Sequence, residues 1–170
     1  MQMDKKKHLP LIGVGPGIVV PQLLLTALGI ALSCTGVLNF GRVEWIRIPG
    51  LVVGVLLILF GAYLWIAAVF QTKVDRHITE NQLATTGVYA MVRNPIYSAF
   101  GLICAGAILI VDNWALLMLP PLCWIYMTIF LKKTEEKWLL ALHGQVYIDY
   151  CKRVNRCIPW FPKKQVRRRS

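Results

Sequence analysis

The chain has 170 residues, 56% of them hydrophobic and 16% charged, and a mean hydropathy of +0.56. Soluble domains average about 45–50% apolar and about 25% charged residues, so this composition excludes a disordered chain and a soluble nucleic-acid binder, and the length excludes more than one domain. Yet 19 Lys and Arg stand against 8 Asp and Glu, a net charge of +11, and so many cations on so apolar a chain must be concentrated somewhere.

Four stretches lack any Asp, Glu, Lys or Arg: residues 9–41, 48–72, 94–111 and 113–131. A bilayer core of about 30 Å needs about 20 apolar helical residues. The residues from Pro10 to Gly17 are rich in helix breakers, so the first membrane helix is expected at about 18–38, preceded by an uncertain short element. The second is expected at about 49–70, with Pro49 suited to a first turn. The last two stretches are divided only by Asp112. One continuous helix from 94 to 131 would be about 57 Å long, nearly twice a bilayer crossing. A helical hairpin turning at Asp112-Asn113 fits instead, with arms at about 96–111 and 114–131, the second kinked at Pro120-Pro121. The expected fold is an all-α integral-membrane bundle of four to five crossings in a single domain, with a helix after the hairpin. Four crossings put 17 of the 19 basic residues on one side and only Arg42 and Arg47 on the other. The positive-inside rule makes the 17-charge side cytoplasmic, with both termini and the segments 80–97 and 132–162.

The hairpin begins and ends on one face, so it brings Arg93-Asn94-Pro95 and Tyr97 beside Glu135-Glu136. An arginine, an amide and two carboxylates at the edge of an apolar cleft suit a zwitterionic ligand, Arg93 taking a carboxylate and a Glu an ammonium. Glu136, Leu140, His143, Tyr147 and Tyr150 recur as one helical stripe that would close such a pocket, unless Gly144 breaks it. Singly, each feature has a plainer reading: charge balance for Lys132, Lys133 and Lys137, a loop stop before a helix, or interfacial tyrosines. The five cysteines show no zinc spacing and read as free, mostly buried thiols. Residues 163–169 read as a basic tail drawn to anionic membrane lipid.

The features combine into a pattern. Residues 83–97 read Leu-Ala-Thr-Thr-Gly-Val-Tyr-Ala-Met-Val-Arg-Asn-Pro-Ile-Tyr. After the hairpin come Glu135-Glu136, then Gly144, Tyr147, Tyr150 and Ile158-Pro159. This resembles the isoprenylcysteine carboxyl methyltransferase family and the related phospholipid N-methyltransferases, whose pattern is T-x-G-P-Y-x-x-V-R-H-P-x-Y, a membrane hairpin, E-E-x-x-L, F-G-x-x-Y-x-x-Y and a late I-P. The resemblance covers residues 80–162 and implies an integral-membrane enzyme that transfers a methyl group from S-adenosylmethionine to a lipophilic acceptor, an isoprenylcysteine-like carboxylate or a lipid amine. Carried over by position, it implies Arg93, Asn94, Pro95, Tyr97, Glu136, Tyr147 and Tyr150 as cofactor-binding and Arg93, Glu135 and Glu136 as catalytic. Three positions depart from the pattern: Asn94 stands for the usual His, Val88 for the usual Pro, and His143 for the usual aromatic. Asn94 keeps hydrogen bonding but cannot act as a base. The alternative is a non-catalytic membrane protein on the same fold, a scaffold, accessory or lipid-binding module. A multidrug transporter would carry an ionisable residue in mid-membrane, and the charge-free stretches carry none.

Overall fold

A computed structural model describes residues 14–42, 47–71 and 83–161. Lys5–Lys7, the short N-terminal element and the 163–169 tail lie outside the described residues. Six helices carry the fold: α1 (Gly15–Cys34), α2 (Arg47–Ile66, extended by a π-turn over Ala67–Gln71), α3 (Pro95–Ile110), α4 (Leu119–Lys133), α5 (Glu135–His143) and α6 (Gln145–Arg153). The chain is an all-α bundle of membrane type. Gly15–Cys34, Arg47–Phe70 and Trp114–His143 are long and apolar enough to cross a membrane, whereas α3 has 16 residues, about 24 Å.

Two expectations need correction, the bounds of the first helix and the proline kink, and the alternative left open at Gly144 is decided. The first helix begins at Gly15 rather than near Ile18, because Pro16 falls in its first turn, where its missing N–H removes no bond. It ends at Cys34 rather than near Leu38, where Gly36 adopts φ +86°. Pro120 and Pro121 do not kink a continuous second arm: a 3-10 turn over Trp114–Met118 comes first, and the prolines lie in the opening turn of α4. The post-hairpin stripe is broken at Gly144, whose φ of +53° separates α5 from α6. Tyr147 and Tyr150 are therefore buried while Leu140 is exposed.

The hairpin turn is as expected. Asp112 takes φ +55°, a conformation Asp tolerates better than most residues. Asn113, 2% exposed, donates to Ser33 Oγ and the Leu38 carbonyl, both at 2.9 Å, and accepts from Ala115 N at 3.1 Å. One amide thus pins the α1–α2 connection to the α3–α4 connection, and puts Arg42 and Arg47 at the Asp112 end, opposite Arg93.

Close approach of α2 and α3 rests on small residues. A Cβ on Gly54 would lie 2.6 Å from the Gly106 carbonyl oxygen, and one on Gly61 2.8 Å from that of Ala99. Without a hydrophobic force between helices in lipid, such contact is what holds them. On α1 the buried face is largely polar, with Gln22, Thr26 and Ser33 pointing inward.

Candidate active site

The 3-10 turn Gly87–Ala90 opens at φ +59° on Gly87 and drives Val88 into the core against Leu64, Ala67 and Ala68. Val88 thus serves as an apolar anchor where the family pattern has Pro. The chain then runs extended into Arg93 and pairs with the C-terminal segment. Arg93 N donates to the Asn155 carbonyl at 2.9 Å, Asn94 N to that of Arg156 at 3.2 Å, and Trp160 N to that of Met91 at 3.1 Å. Further along, Cys157 plugs between α1 and α4 against Ile18, Met127 and Leu131. Burial pushes its thiol up to about 12, so it stays protonated.

From the other side, α4 ends at Thr134, whose hydroxyl donates back to the Phe130 carbonyl at 2.7 Å. The bend there swings the first turn of α5 over Arg93. Arg93 Nη1 lies 3.1 Å from Glu136 Oε1. Arg156 grips the same carboxylate bidentately, Nε to Oε1 at 2.6 Å and Nη2 to Oε2 at 3.0 Å. Those bonds hold the Arg156 guanidinium protonated even more firmly than usual. Arg93 Nη1 also meets the Tyr147 hydroxyl at 3.4 Å and Cys151 Sγ. The Arg93 side chain is 8% exposed, yet its Nε–H is buried with no hydrogen-bond partner among the described residues.

Beside this cluster, the Tyr97 hydroxyl donates to Glu135 Oε2 at 3.0 Å. Burial pushes the Glu135 carboxyl above the usual carboxylate range; the Tyr97 hydrogen bond opposes this, and neighbouring Glu136 adds to it. Behind, the Tyr150 hydroxyl donates to the Tyr89 carbonyl at 2.6 Å and ties α6 to the 83–97 segment. Burial, and less so Glu136, raise the Tyr147 phenol, which stays neutral while its oxygen accepts from Arg93.

The structure thus brings Arg93, Glu136 and Tyr147 into one cluster with Tyr97 and Glu135 alongside. Pro95 is buried in the first turn of α3, and Tyr150 braces α6. Asn94 turns away: its Nδ2 donates to the Arg156 carbonyl at 2.9 Å, so its amide fastens the C-terminal segment. His143 ends α5 and makes no hydrogen bond to the cluster among the described residues; partial burial lowers its basicity. Sequence reasoning missed Arg156. It is one of 11 basic residues after Leu131, and nothing in spacing separates it from the ten that serve topology.

Comparison with known proteins gives this geometry a family. Residues 49–146, more than half the chain, match the sequence profile of phospholipid methyltransferases. The chain belongs to that family. It is also similar to protein-S-isoprenylcysteine O-methyltransferases of Homo sapiens and Mus musculus, each 28% identical, and of Rattus norvegicus, 27% identical. Each alignment spans 133 residues, 70% of this chain and 43% of the relative, so the chain covers less than half the length of these relatives. No solved structure is a significant match. The family match stops before Tyr147, Tyr150 and Arg156, and of these only Arg156 is brought into the cluster by the structure alone.

Proposed function

We propose that the chain is an integral-membrane methyltransferase using S-adenosylmethionine and a lipophilic acceptor, either an isoprenylcysteine-like carboxylate or a lipid amine. In this reading the chain crosses the membrane four times, with both termini and the Arg93 end on the cytoplasmic side, where most of the basic residues fall. The observation that carries it is the buried, unpartnered Nε–H of Arg93 within the Arg93–Glu136–Arg156 cluster. An orphaned guanidinium N–H in such a place is met by an acceptor oxygen, and a carboxylate makes the strongest such partner. Two guanidiniums against one carboxylate leave one positive charge, which suits the carboxylate of the cofactor's amino-acid end. Glu136 is already held by both arginines, so Glu135 is the carboxylate left to receive the ammonium.

Bound there, the cofactor supplies a methyl group already activated on a sulfonium. The chain's task is then alignment and exclusion of water. Arg156 locks Glu136, Glu136 locks Arg93, and Tyr97 fixes the rotamer of Glu135. Helix α6 covers the site with Tyr147 and Tyr150, and the acceptor enters between apolar helices. A carboxylate acceptor needs no base. An amine must lose a proton, which Asn94 cannot take; in this reading Glu135 already holds the cofactor's ammonium, so the amine route needs another base.

Calorimetric titration of the detergent-purified protein with S-adenosylmethionine tests this. Binding by the wild type and its loss in Arg93→Ala are expected; a wild type that binds nothing overturns the proposal. Radiolabelled donor with membrane lipid extracts then identifies the acceptor. Because Asn94 is committed to the Arg156 carbonyl, cofactor binding without transfer to any acceptor would instead favour the non-catalytic alternative.

A further inference from the structure

At the opposite end of the bundle, about 24 Å away along α3, we infer a second site: Asp112 and Arg47 hold the headgroup of a phospholipid bearing a primary ammonium, with part of an acyl chain in the groove between α2 and α3. A cavity of about 250 Å³ lies there, lined by Gly50 and Val53 of α2, Ile108 and Leu109 of α3, and Leu117, with Asp112 at its end. Its walls are apolar almost throughout. Gly50 marks where α2 lies tight against α3 at the edge of this cavity: a Cβ there would lie 2.8 Å from the Leu109 carbonyl oxygen and 3.6 Å from Asp112 Oδ1.

Charge complementarity names the occupant. Asp112 Oδ1 is buried with no hydrogen-bond partner among the described residues, a costly condition for a carboxylate oxygen beside apolar walls. Neighbouring Asn113 cannot relieve it, since its amide is committed to Ser33, Leu38 and Ala115. The other Asp112 oxygen lies 3.7 Å from Arg47 Nε, and the Arg47 side chain is 77% exposed. An ammonium with three N–H donors satisfies Asp112, while the open Arg47 fork accepts a phosphate. A phosphoethanolamine headgroup carries those two groups side by side, and the groove takes the chain attached to them. A choline headgroup offers no N–H, and a glycerol headgroup offers no cation. The site is too far from Arg93 for this lipid to be a methyl acceptor there, so it is a bound companion of the fold.

Native mass spectrometry of the detergent-purified protein with dioleoyl phosphatidylethanolamine, phosphatidylcholine or phosphatidylglycerol tests this. The ethanolamine lipid is expected to be retained roughly tenfold better than the other two, the range of one hydrogen bond to a charged group. Asp112→Asn should abolish that preference; Asn accepts the positive φ as Asp does, so the variant is expected to fold. Val53→Trp, which fills the groove, should reduce retention of all three. Equal retention of the three lipids by the wild type, or an unchanged preference in Asp112→Asn, overturns the inference. Cofactor titrations of both variants should match the wild type, so failure of the methyltransferase reading would show separately, as a wild type that binds no cofactor.

Discussion

The two ends of the hairpin are built from similar materials and differ in what they leave over. At the Asn113 end, a single neutral amide spends its hydrogen bonds on Ser33, Leu38 and Ala115, and acts as a lock between two connections. At the Arg93 end, two guanidiniums share one carboxylate and one guanidinium N–H is left unmet. A satisfied polar group rigidifies, whereas a buried surplus of charge and donors prepares a place for a ligand. Asp112 shows the second condition on a smaller scale, right beside the lock.

Breaking each end should therefore give different signatures. The largest effect is expected for Arg93→Ala, with cofactor affinity reduced by roughly 100-fold or more by calorimetry, because the charge-assisted contact goes and the Glu136 pairing is disturbed. Arg93→Lys should recover only part of this, since an ammonium lacks the planar fork. Asn113→Ala should do the reverse. Removing a buried amide with three hydrogen bonds is expected to destabilise by about 2–4 kcal/mol in thermal unfolding, while cofactor affinity of the folded protein stays unchanged.

A pH series sharpens the comparison further. The ionised form of Glu135 is what an ammonium favours, and burial raises its carboxyl above the ordinary range. Cofactor affinity should therefore fall as pH is lowered through that raised value, earlier than for an exposed carboxylate. Glu135→Gln should bind about tenfold more weakly at neutral pH and show a flat profile. Asn94→Ala should give the smallest effect, a loss of about 1 kcal/mol in stability with a few-fold weaker affinity, because the amide acts on the site only through the Arg156 segment.

The hairpin was legible because a charge-free stretch too long for one crossing, divided by Asp112-Asn113, admits few other arrangements. Arg93 beside Glu136 followed from it, since a hairpin returns to the face it left. The helix ends were less legible. Pro16, Pro120 and Pro121 are breakers by composition, but in a first turn they cost little, and only the register of the helix says which case applies. The close approach of α2 and α3 through Gly54 and Gly61 was not read from the sequence, because which glycines face a partner helix depends on how the two helices pack.

By itself the sequence determined the helical class, the hairpin and the meeting of Arg93 with Glu136, because these depend on hydropathy, length and the geometry of return. Only the tertiary structure decided which cations matter. Arg156 is chemically identical to its exposed neighbours, and its role arises from the pairing of residues 91–94 with 155–160, a contact across some 60 positions that no local period encodes. The same pairing gave Asn94 a fastening role and left Arg93 with its unmet donor, since burial and hydrogen-bond partners belong to the folded arrangement and not to the order of residues.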